Sequence, residues 1–306
     1  MLANTRKTIP ELDQLYNDVR EYRTSKPFKK LIDFITRFPN IGPYNAMLLY
    51  MQRPGSVYVA AAREWQNRFH RQPKVGSCPL LILRPFGPVS YVYDLADTEG
   101  EPFPEYMLIS AARHRKKISS VYYERIVKRM VISEGIRYRE EAYGSELSGQ
   151  TLRDDAQITV KWGQNILTVE APYVVVVNNK IETVEAKFAV LCHELAHIFC
   201  GHIYYPKFEW IPQRNLLDIP QQEFEAEAVA YIVCRRWGID TDSIKYLAIM
   251  QYLNQLGELP VGISYDTIFK AAGRVESIVE CANNQRKKII IKKEPLPEQE
   301  KSARFH

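Results

Sequence analysis

The sequence predicts an α+β protein, because segments with the three-to-four-residue period of helices alternate with short apolar runs typical of strands. A group of apolar runs lies at residues 158–177, and long amphipathic segments lie on both sides of it. The chain has 306 residues, of which 46% are hydrophobic and 25% charged, and this composition excludes the disordered and collagen-like classes of protein. The length is enough for one large domain or two domains of ordinary size.

The first 145 residues are predicted to form a module that mixes helices and strands. Apolar residues three or four apart predict the helices, and a Pro-Phe-Gly-Pro turn between two apolar runs predicts a β-hairpin. The predicted helices are 10–22, 28–38, 44–52 and 123–132, and the predicted strands are 57–59, 80–83 and 89–93.

The second part of the chain is predicted to contain three strands and then four helices. A polar stretch at 143–155 marks the boundary, so the predicted domains are 1–145 and 146–282, followed by a basic, mobile tail at 283–306. The predicted strands are 158–160, 166–169 and 173–177, and the predicted helices are 184–199, 221–236, 241–256 and 264–281.

The composition also predicts where the protein is found. No stretch approaches the length of a membrane span, and the N-terminus lacks the apolar segment of a secretory signal. The five cysteines are scattered and include no Cys-x-x-Cys pair, which argues against a disulfide framework. We therefore expect a cytoplasmic protein with no membrane partner.

The charge is distributed unevenly along the chain. Residues 1–139 contain 23 basic and 13 acidic residues, a net charge of +10, whereas residues 140–280 contain 11 basic and 20 acidic residues, a net charge of −9. A strongly basic segment can attract a polyanion such as nucleic acid. The alternative is a basic surface that is only solvated.

The strongest motif is His-Glu-Leu-Ala-His at residues 193–197, on a predicted helix. His193 and His197 are four residues apart, so both imidazoles leave one face of the helix and can bind one zinc ion. Glu194 is predicted to be the general base for a water that the metal activates. The competing interpretation is a structural helix whose histidines bind no metal.

A second predicted helix, at 221–236, offers three glutamates for the third ligand position. Glu223 and Glu227 are four residues apart and share a face, whereas Glu225 lies about 200° around the helix from Glu223. We predict Glu223 as the ligand and Glu227 as the carboxylate that accepts a hydrogen bond from a liganding histidine, with Glu225 as the alternative ligand. The competing interpretation is a charged first turn favoured by the helix dipole.

These motifs resemble two related families. The segment 193–197, followed by Glu-x-Glu-Ala-Glu-x-Val-Ala at 223–230, is similar to the ImmA/IrrE metallo-endopeptidases and to the peptidase-like half of ArdC-type antirestriction proteins. The resemblance covers about residues 170–236. It implies a gluzincin-like, zincin-like metallopeptidase domain with zinc on His193, His197 and Glu223. Related families usually have aspartate or asparagine where this chain has Glu227.

A weaker resemblance covers about residues 28–98. The segment Pro-Tyr-Asn-Ala-Met-Leu-Leu-Tyr at 43–50, Trp65, Gly76, Tyr-Val-Tyr-Asp at 91–94 and Thr98 are similar to the N-terminal single-stranded-DNA-binding domain of ArdC-like proteins. The resemblance implies single-stranded DNA as a partner of the N-terminal module.

The residue types in this module fit such a role. Proteins that bind single strands combine cations that follow the backbone with aromatic rings that stack on bases. Trp65 and Phe69 are four residues apart, so their competing interpretation is a place in the core of a helix. The predicted nucleic-acid-binding residues are Arg63, Trp65, Arg68, Arg71 and Lys74.

The combined prediction is a zinc-dependent metallo-endopeptidase that hydrolyses peptide bonds of a protein partner, such as a repressor or regulator, and carries a nucleic-acid-binding N-terminal module. The resemblance implies a role in antirestriction, in a phage or plasmid, or in stress regulation. The alternative is a non-catalytic antirestriction protein that binds and protects single-stranded DNA and has a structural zinc site. A third interpretation keeps the peptidase and makes the N-terminal module a protein-binding sensor.

Two further predictions concern the surroundings of the motif. His202 is predicted to be a surface histidine, with orientation of substrate or stabilisation of an oxyanion as the alternative. The strand at 173–177 is predicted to be an edge strand that holds an extended peptide by strand addition.

Overall fold

The computed structural model describes residues 25–38, 40–84, 87–108, 118–142, 148–203, 211–241, 259–283 and 289–291. Helices and β-sheets are both present, which confirms the α+β class. The predicted helix at 10–22, all but the first residue of the one at 241–256, and the tail beyond residue 291 lie outside the described residues. None of the described helices has the length and apolar character needed to cross a membrane.

The chain forms two compact units. The first unit comprises residues 1–117 and 185–276, and the second unit comprises residues 118–184 and 277–306. The predicted domain boundaries at 145 and 282 do not coincide with this grouping, because the N-terminal helices and the His-Glu-x-x-His helix belong to the same unit. Residues 118–184, which lie between these helices in the sequence, belong to the second unit.

Between residues 25 and 108, the described part of the first unit has three α-helices and five short strands. The β4 strand pairs antiparallel with β1 and β3, and β2 pairs antiparallel with β5. The β3–β4 pair confirms the predicted hairpin. The elements are α1 (Ser25–Thr36), α2 (Pro43–Gln52), β1 (Val59–Ala60), α3 (Ala62–Phe69), β2 (Arg71–Pro73), β3 (Leu80–Arg84), β4 (Gly87–Asp94) and β5 (Thr98–Gly100).

The outer edge of β3 is closed by two side-chain amides from α2. The Asn45 side chain donates to the carbonyl of Leu83 and accepts from its N–H, both at 2.9 Å. The Gln52 side chain makes the same two bonds to Leu81, both at 2.8 Å. Residues 45 and 52 are two helical turns apart, so they meet alternate residues of one strand. The amides thus replace a neighbouring strand.

Among its described residues, the second unit combines one complete helix with a four-stranded sheet. The order of the strands is β6–β8–β7–β9. The β9 strand lies within the predicted mobile tail, so the prediction is wrong for these three residues. Three consecutive isoleucines pair there with the end of β7, as β-branched residues favour strands. The elements are α4 (Ser120–Glu134), β6 (Ile136–Glu141), β7 (Gly149–Trp162), β8 (Asn165–Asn178) and β9 (Ile289–Ile291).

The β8 strand is central, which contradicts the predicted edge strand at 173–177. These residues pair in parallel with β6 and antiparallel with β7. All five are fully buried, as expected for a continuous apolar run covered on both faces. Both hydrogen-bonding edges are occupied, so this segment offers no place for an added peptide strand, and the strand-addition prediction is wrong.

Three longer helices complete the described part of the chain: α5 (Val184–Phe199), α6 (Ile219–Arg236) and α7 (Tyr265–Asn283). The ring of Phe28 on α1 lies 5.3 Å from that of Phe224 on α6 and 5.2 Å from that of Tyr265 on α7, measured between centroids. Aromatic contacts of this kind bury large apolar areas. They explain why α1 belongs to the same unit as the helices of the candidate site.

A buried arginine joins the end of α6 to the end of α1. The guanidinium of Arg236 donates to the carbonyl oxygens of Ile35, Phe38 and Ile41 at 2.7–2.9 Å. It also makes a two-pronged ion pair with Glu276 on α7, at 2.6 and 3.2 Å. Arginine suits this place because its planar fork can satisfy several acceptors at once. Ile35 lies in the last turn of α1, and Phe38 and Ile41 lie in the segment after it, so one guanidinium ties the end of the helix to the chain that follows.

Candidate metal centre

Two helices bring the predicted ligands together. His193 and His197 lie one turn apart on α5. The α6 helix begins with a capping box, in which Asp218 and Gln221 each accept a hydrogen bond from the other's backbone N–H. This start fixes the first turns of α6 and holds Glu223 beside the two histidines.

The three ligand atoms form a small triangle. Nε2 of His193 lies 3.1 Å from Nε2 of His197 and 3.2 Å from Oε2 of Glu223, and Nε2 of His197 lies 3.5 Å from Oε1 of Glu223. Zinc bonds of about 2.0–2.1 Å in a tetrahedron hold neighbouring ligand atoms about 3.3–3.4 Å apart. The residues therefore fit a divalent metal ion, and they are one of two groups in the described chain whose ligand atoms converge.

The charges in the triangle favour metal binding. Burial, aided by the neighbouring His193, lowers the pKa of His197 to about 3, so its ring is neutral at physiological pH. Burial acts in the same direction on His193, but the hydrogen bond to Glu223 and nearby carboxylates raise the pKa of His193 above its usual value. The hydrogen bond with His193 lowers the pKa of Glu223, which keeps that carboxylate ionised. A divalent cation would take the place of the hydrogen bond between His193 and Glu223.

Glu194 follows His193 on α5 and is 6% exposed. Its negative charge contributes to the raised pKa of His193, so the carboxylate lies close to the ligand group. A buried carboxylate beside a metal site is what a general base requires. Its role as a base stays a prediction.

Glu227 does not hold a ligand histidine. Among the described residues it makes no hydrogen bond or ion pair, although it lies on the same face of α6 as Glu223. Burial, together with the charge of Glu223, raises the pKa of Glu227. The predicted hydrogen bond to a liganding histidine is therefore absent from this part of the chain.

Glu225, predicted only as an alternative ligand, is the fully buried carboxylate of the site. Oε1 accepts from Nη2 of Arg214 at 2.5 Å and from the backbone N–H of Ser264 at 2.7 Å. Oε2 lies 3.0 Å from Nε2 of His202 and 3.3 Å from Nε of Arg214. Sequence position could not reveal this role, because Arg214 and Ser264 come from segments on either side of α6.

His202 is buried, which makes the predicted surface position wrong. The α5 helix ends in a turn in which the N–H of Gly201 donates to the carbonyl of Ile198 and the N–H of His202 to that of His197. Gly201 has φ +79°, and a Cβ on it would lie 1.7 Å from the carbonyl oxygen of Pro212. The turn folds His202 back beside His197. A glycine directly after the helix is the sequence signal for it.

The second convergent group contains Cys200, His202 and Glu225, all buried. A cation there would compete with Arg214, which is already bound to both oxygens of Glu225. Burial raises the pKa of the Cys200 thiol well above its usual value, which disfavours the thiolate that metals bind. This group is therefore a hydrogen-bonded core cluster.

The N-terminal module contains the predicted nucleic-acid-binding residues, and two of them have structural roles. Trp65 is fully buried, and its indole N–H donates to the carbonyl of Tyr93 at 2.9 Å. It packs in a core cluster with Tyr58 and Phe69, as the competing interpretation proposed, so it has no free face for a base. Arg71 donates to the side chain and carbonyl of Thr98 and links β2 to β5.

The other three predicted cations are exposed. Arg68 pairs with Glu64 one turn away at 3.3 Å, and Lys74 donates to the carbonyl of Ala96 at 2.8 Å. Arg63 makes no hydrogen bond or ion pair with any described residue. Arg63, Arg68 and Lys74 are therefore the members of the predicted set that remain accessible to a phosphate backbone.

No protein-family model matches this chain. An uncharacterized protein of Bacillus anthracis is 20% identical to it over 78% of this chain, and the match spans 45% of that protein's length. Two crystal structures of the antirestriction protein ArdC from plasmid R388 are also similar, one metal-free and one Mn(II)-bound. They share 14% and 13% identity, cover 80% and 90% of this chain and 86% and 97% of their own, and give TM-scores of 0.35 and 0.38. Similarity at this level does not assign the chain to a family.

The arrangement as a whole is a three-ligand site open on one side. The side chain of Glu223 is 48% exposed, whereas those of His193 and His197 are 17% and 13% exposed. Water can therefore reach the place where a bound ion would keep a free coordination position. The predicted ligands are brought together, and His202, which contacts Glu225, lies against the ring of His197.

Proposed function

We propose that this chain is a metallopeptidase whose divalent ion is held by His193, His197 and Glu223, with zinc as the ion. The observation that carries the proposal is the exposure of Glu223 in a site with three protein ligands. Structural zinc sites are normally closed by four protein ligands, whereas catalytic sites keep a position for water. Two imidazoles and a carboxylate, with spacings near those of a tetrahedron, support zinc as the ion.

The residues around the ion divide the work of hydrolysis. A bound ion would supply a Lewis acid that polarises a carbonyl and makes a water more acidic. Glu194 would accept the proton of that water and deliver it to the leaving amine. The exposed side of the ligand triangle admits an extended segment of a protein substrate, such as a repressor or another regulator.

Replacing Glu194 by glutamine tests this proposal directly. We expect Glu194→Gln to retain the metal and to lose about two to four orders of magnitude in peptide cleavage, because the amide cannot accept the proton. Zinc-loaded protein is incubated with a peptide library from a digested bacterial proteome, and mass spectrometry detects new termini. Glu185→Gln, in the first turn of the same helix, is the matched control and keeps full activity. Absence of new termini with zinc-loaded wild type contradicts the peptidase.

A second candidate is protection of DNA, in which the chain binds single strands in an antirestriction role and the metal only stabilises the fold. The observation that favours it is the net charge of +10 in residues 1–139, together with the exposed Arg63, Arg68 and Lys74. The name of the similar ArdC structures supplies the antirestriction setting for this candidate.

Salt-dependent binding to single-stranded DNA tests the second candidate. We expect affinity for a labelled oligothymidylate to fall steeply between about 50 and 200 mM salt, because each phosphate contact releases a counterion. Arg63→Ala/Arg68→Ala reduces the slope of log affinity against log salt by about 1.4. Fluorescence anisotropy is the measurement. Lys128→Ala/Lys161→Ala, which removes the same charge from the second unit, is the control. Equal slopes for both double variants contradict a nucleic-acid role for these arginines.

A further inference from the structure

The ligand His197 has a second ring nitrogen that faces away from the ligand triangle. Its Nε2 belongs to the triangle, whereas its Nδ1 lies 3.0 Å from Nδ1 of His202. The other nitrogen of His202, Nε2, lies 3.0 Å from Oε2 of Glu225. The side chains of His202 and Glu225 are both 0% exposed. An unbroken chain of contacts, closed to water, therefore leads from the triangle to a buried carboxylate.

We propose that His202 and Glu225 are positioning residues for the metal ligand His197. They hold its ring in one orientation and in the one tautomer that can bind a metal through Nε2. The inference rests on the metal site proposed above and deepens it. It identifies the residues that keep the His197 ring neutral and correctly oriented for binding through Nε2.

Only one arrangement of protons satisfies these contacts while Nε2 of His197 keeps a free lone pair. The proton of His197 must then be on Nδ1, and it is donated to Nδ1 of His202. His202 must accept there, so its own proton is on Nε2 and is donated to Glu225. The buried carboxylate thus sets the tautomer of a ligand two contacts away.

Glu225 is suited to anchor this series of hydrogen bonds because both of its oxygens already accept hydrogen bonds from other residues. Its two oxygens are held by Arg214 and by the backbone N–H of Ser264, and Nη2 of Arg214 also donates to the carbonyl of Gly262 at 2.7 Å. The charge of Arg214 balances that of the carboxylate, so the pair adds no net charge to the core. A ligand histidine commonly donates straight to a carboxylate. In this chain an additional imidazole spans the distance.

Metal affinity of the full chain tests the proposal. We expect His202→Phe, which keeps a ring but removes both contacts, to weaken zinc binding about 10–100-fold. His202→Asn retains an acceptor for Nδ1–H of His197 and loses only the link to Glu225, so its affinity lies between those of wild type and His202→Phe. Competition with a chromophoric chelator gives the dissociation constants. The visible spectrum of the cobalt-loaded protein, which reports ligand geometry, changes in His202→Phe.

The matched control is Glu276→Gln. It removes a carboxylate from another buried arginine pair of the same unit, in which the cation is Arg236 in place of Arg214. Circular dichroism confirms that each variant is folded at the temperature of the titration. Glu276→Gln keeps the wild-type affinity, whereas Glu225→Gln weakens it as His202→Phe does. Equal affinity in wild type, His202→Phe and Glu225→Gln overturns the positioning role, whereas absence of metal from the wild type overturns the proposed metal site itself.

A measurement on the wild type needs no folded variant. Nitrogen-15 chemical shifts of the imidazoles distinguish protonated from unprotonated ring nitrogens. In the zinc-loaded protein we expect His197 protonated at Nδ1 and His202 protonated at Nε2 alone. A proton on Nδ1 of His202 overturns the proposal.

Discussion

We expect replacement of Glu223 by alanine to remove most of the proposed metal ion from the purified protein. Structural zinc in zinc-finger peptides, which have four protein ligands, binds with about 10–16 kcal/mol. Divided equally, this free energy gives about 3 kcal/mol for each ligand. The loss of Glu223 therefore weakens zinc binding about 100-fold or more. Plasma mass spectrometry of protein purified in the presence of zinc measures the metal, and a chelator competition measures the affinity.

The two neighbouring glutamates serve as controls for this result. Glu227→Ala keeps the wild-type metal content, because Glu227 makes no hydrogen bond to a ligand among the described residues. Glu225→Ala weakens the binding without abolishing it, since it disturbs His202 and leaves the three ligands present. Loss of metal in Glu227→Ala with retention in Glu223→Ala would show that the helix uses its other carboxylate as the ligand.

Replacing Arg236 by methionine will destabilise the protein by about 3–5 kcal/mol, the cost of breaking a buried ion pair from one side. The substitution breaks the ion pair with the buried Glu276 and removes three hydrogen bonds to carbonyl oxygens in the last turn of α1 and the segment after it. Urea denaturation followed by circular dichroism measures the loss. The effect is large because the lost partners lie out of reach of water.

An exposed ion pair on a neighbouring helix provides the comparison. Lys270 pairs with Asp266 at 2.7 Å and is 61% exposed, so Lys270→Met costs about 1 kcal/mol or less. The double variant Arg236→Met/Glu276→Met recovers part of the stability, because it removes the unpaired charge. Equal destabilisation by Arg236→Met and Lys270→Met would contradict the structural role of Arg236.

The residues of the ligand triangle were predictable because their positions follow from helical periodicity. The spacing of His193 and His197 places both on one face of one helix, and Glu223 belongs to a second helix with a clear start. Their supporting residues were not predictable in this way. His202 reaches His197 only because the chain reverses at Gly201, and Glu225 is anchored by Arg214 and Ser264 from distant segments. Such contacts depend on tertiary packing that no local pattern contains.

Strand pairing and the burial of single residues show the same limit of sequence-based prediction. The apolar runs at 166–169 and 173–177 predicted two strands, and both lie within the single strand β8. An apolar run does not show which strands flank it. The parallel partner β6 lies about 35 residues earlier in the chain, and the pairing makes 173–177 a central strand. The role of Trp65 was ambiguous for a similar reason. An aromatic residue on a helix has the same sequence pattern whether it packs in a core or stacks on a base. Burial decides between them, and burial is a property of the whole fold.

The amides that close the edge of β3 have a consequence for hydrogen exchange. The outward N–H groups of an edge strand normally exchange with solvent quickly, but those of Leu81 and Leu83 are bonded to Gln52 and Asn45. These protons can exchange only when α2 separates from the strand, so helix and hairpin open as one cooperative segment. An aspartate at position 45, whether by mutation or by deamidation, would face the carbonyl of Leu83 with a second acceptor. Chemical ageing of a single amide would then loosen the hairpin and free its edge.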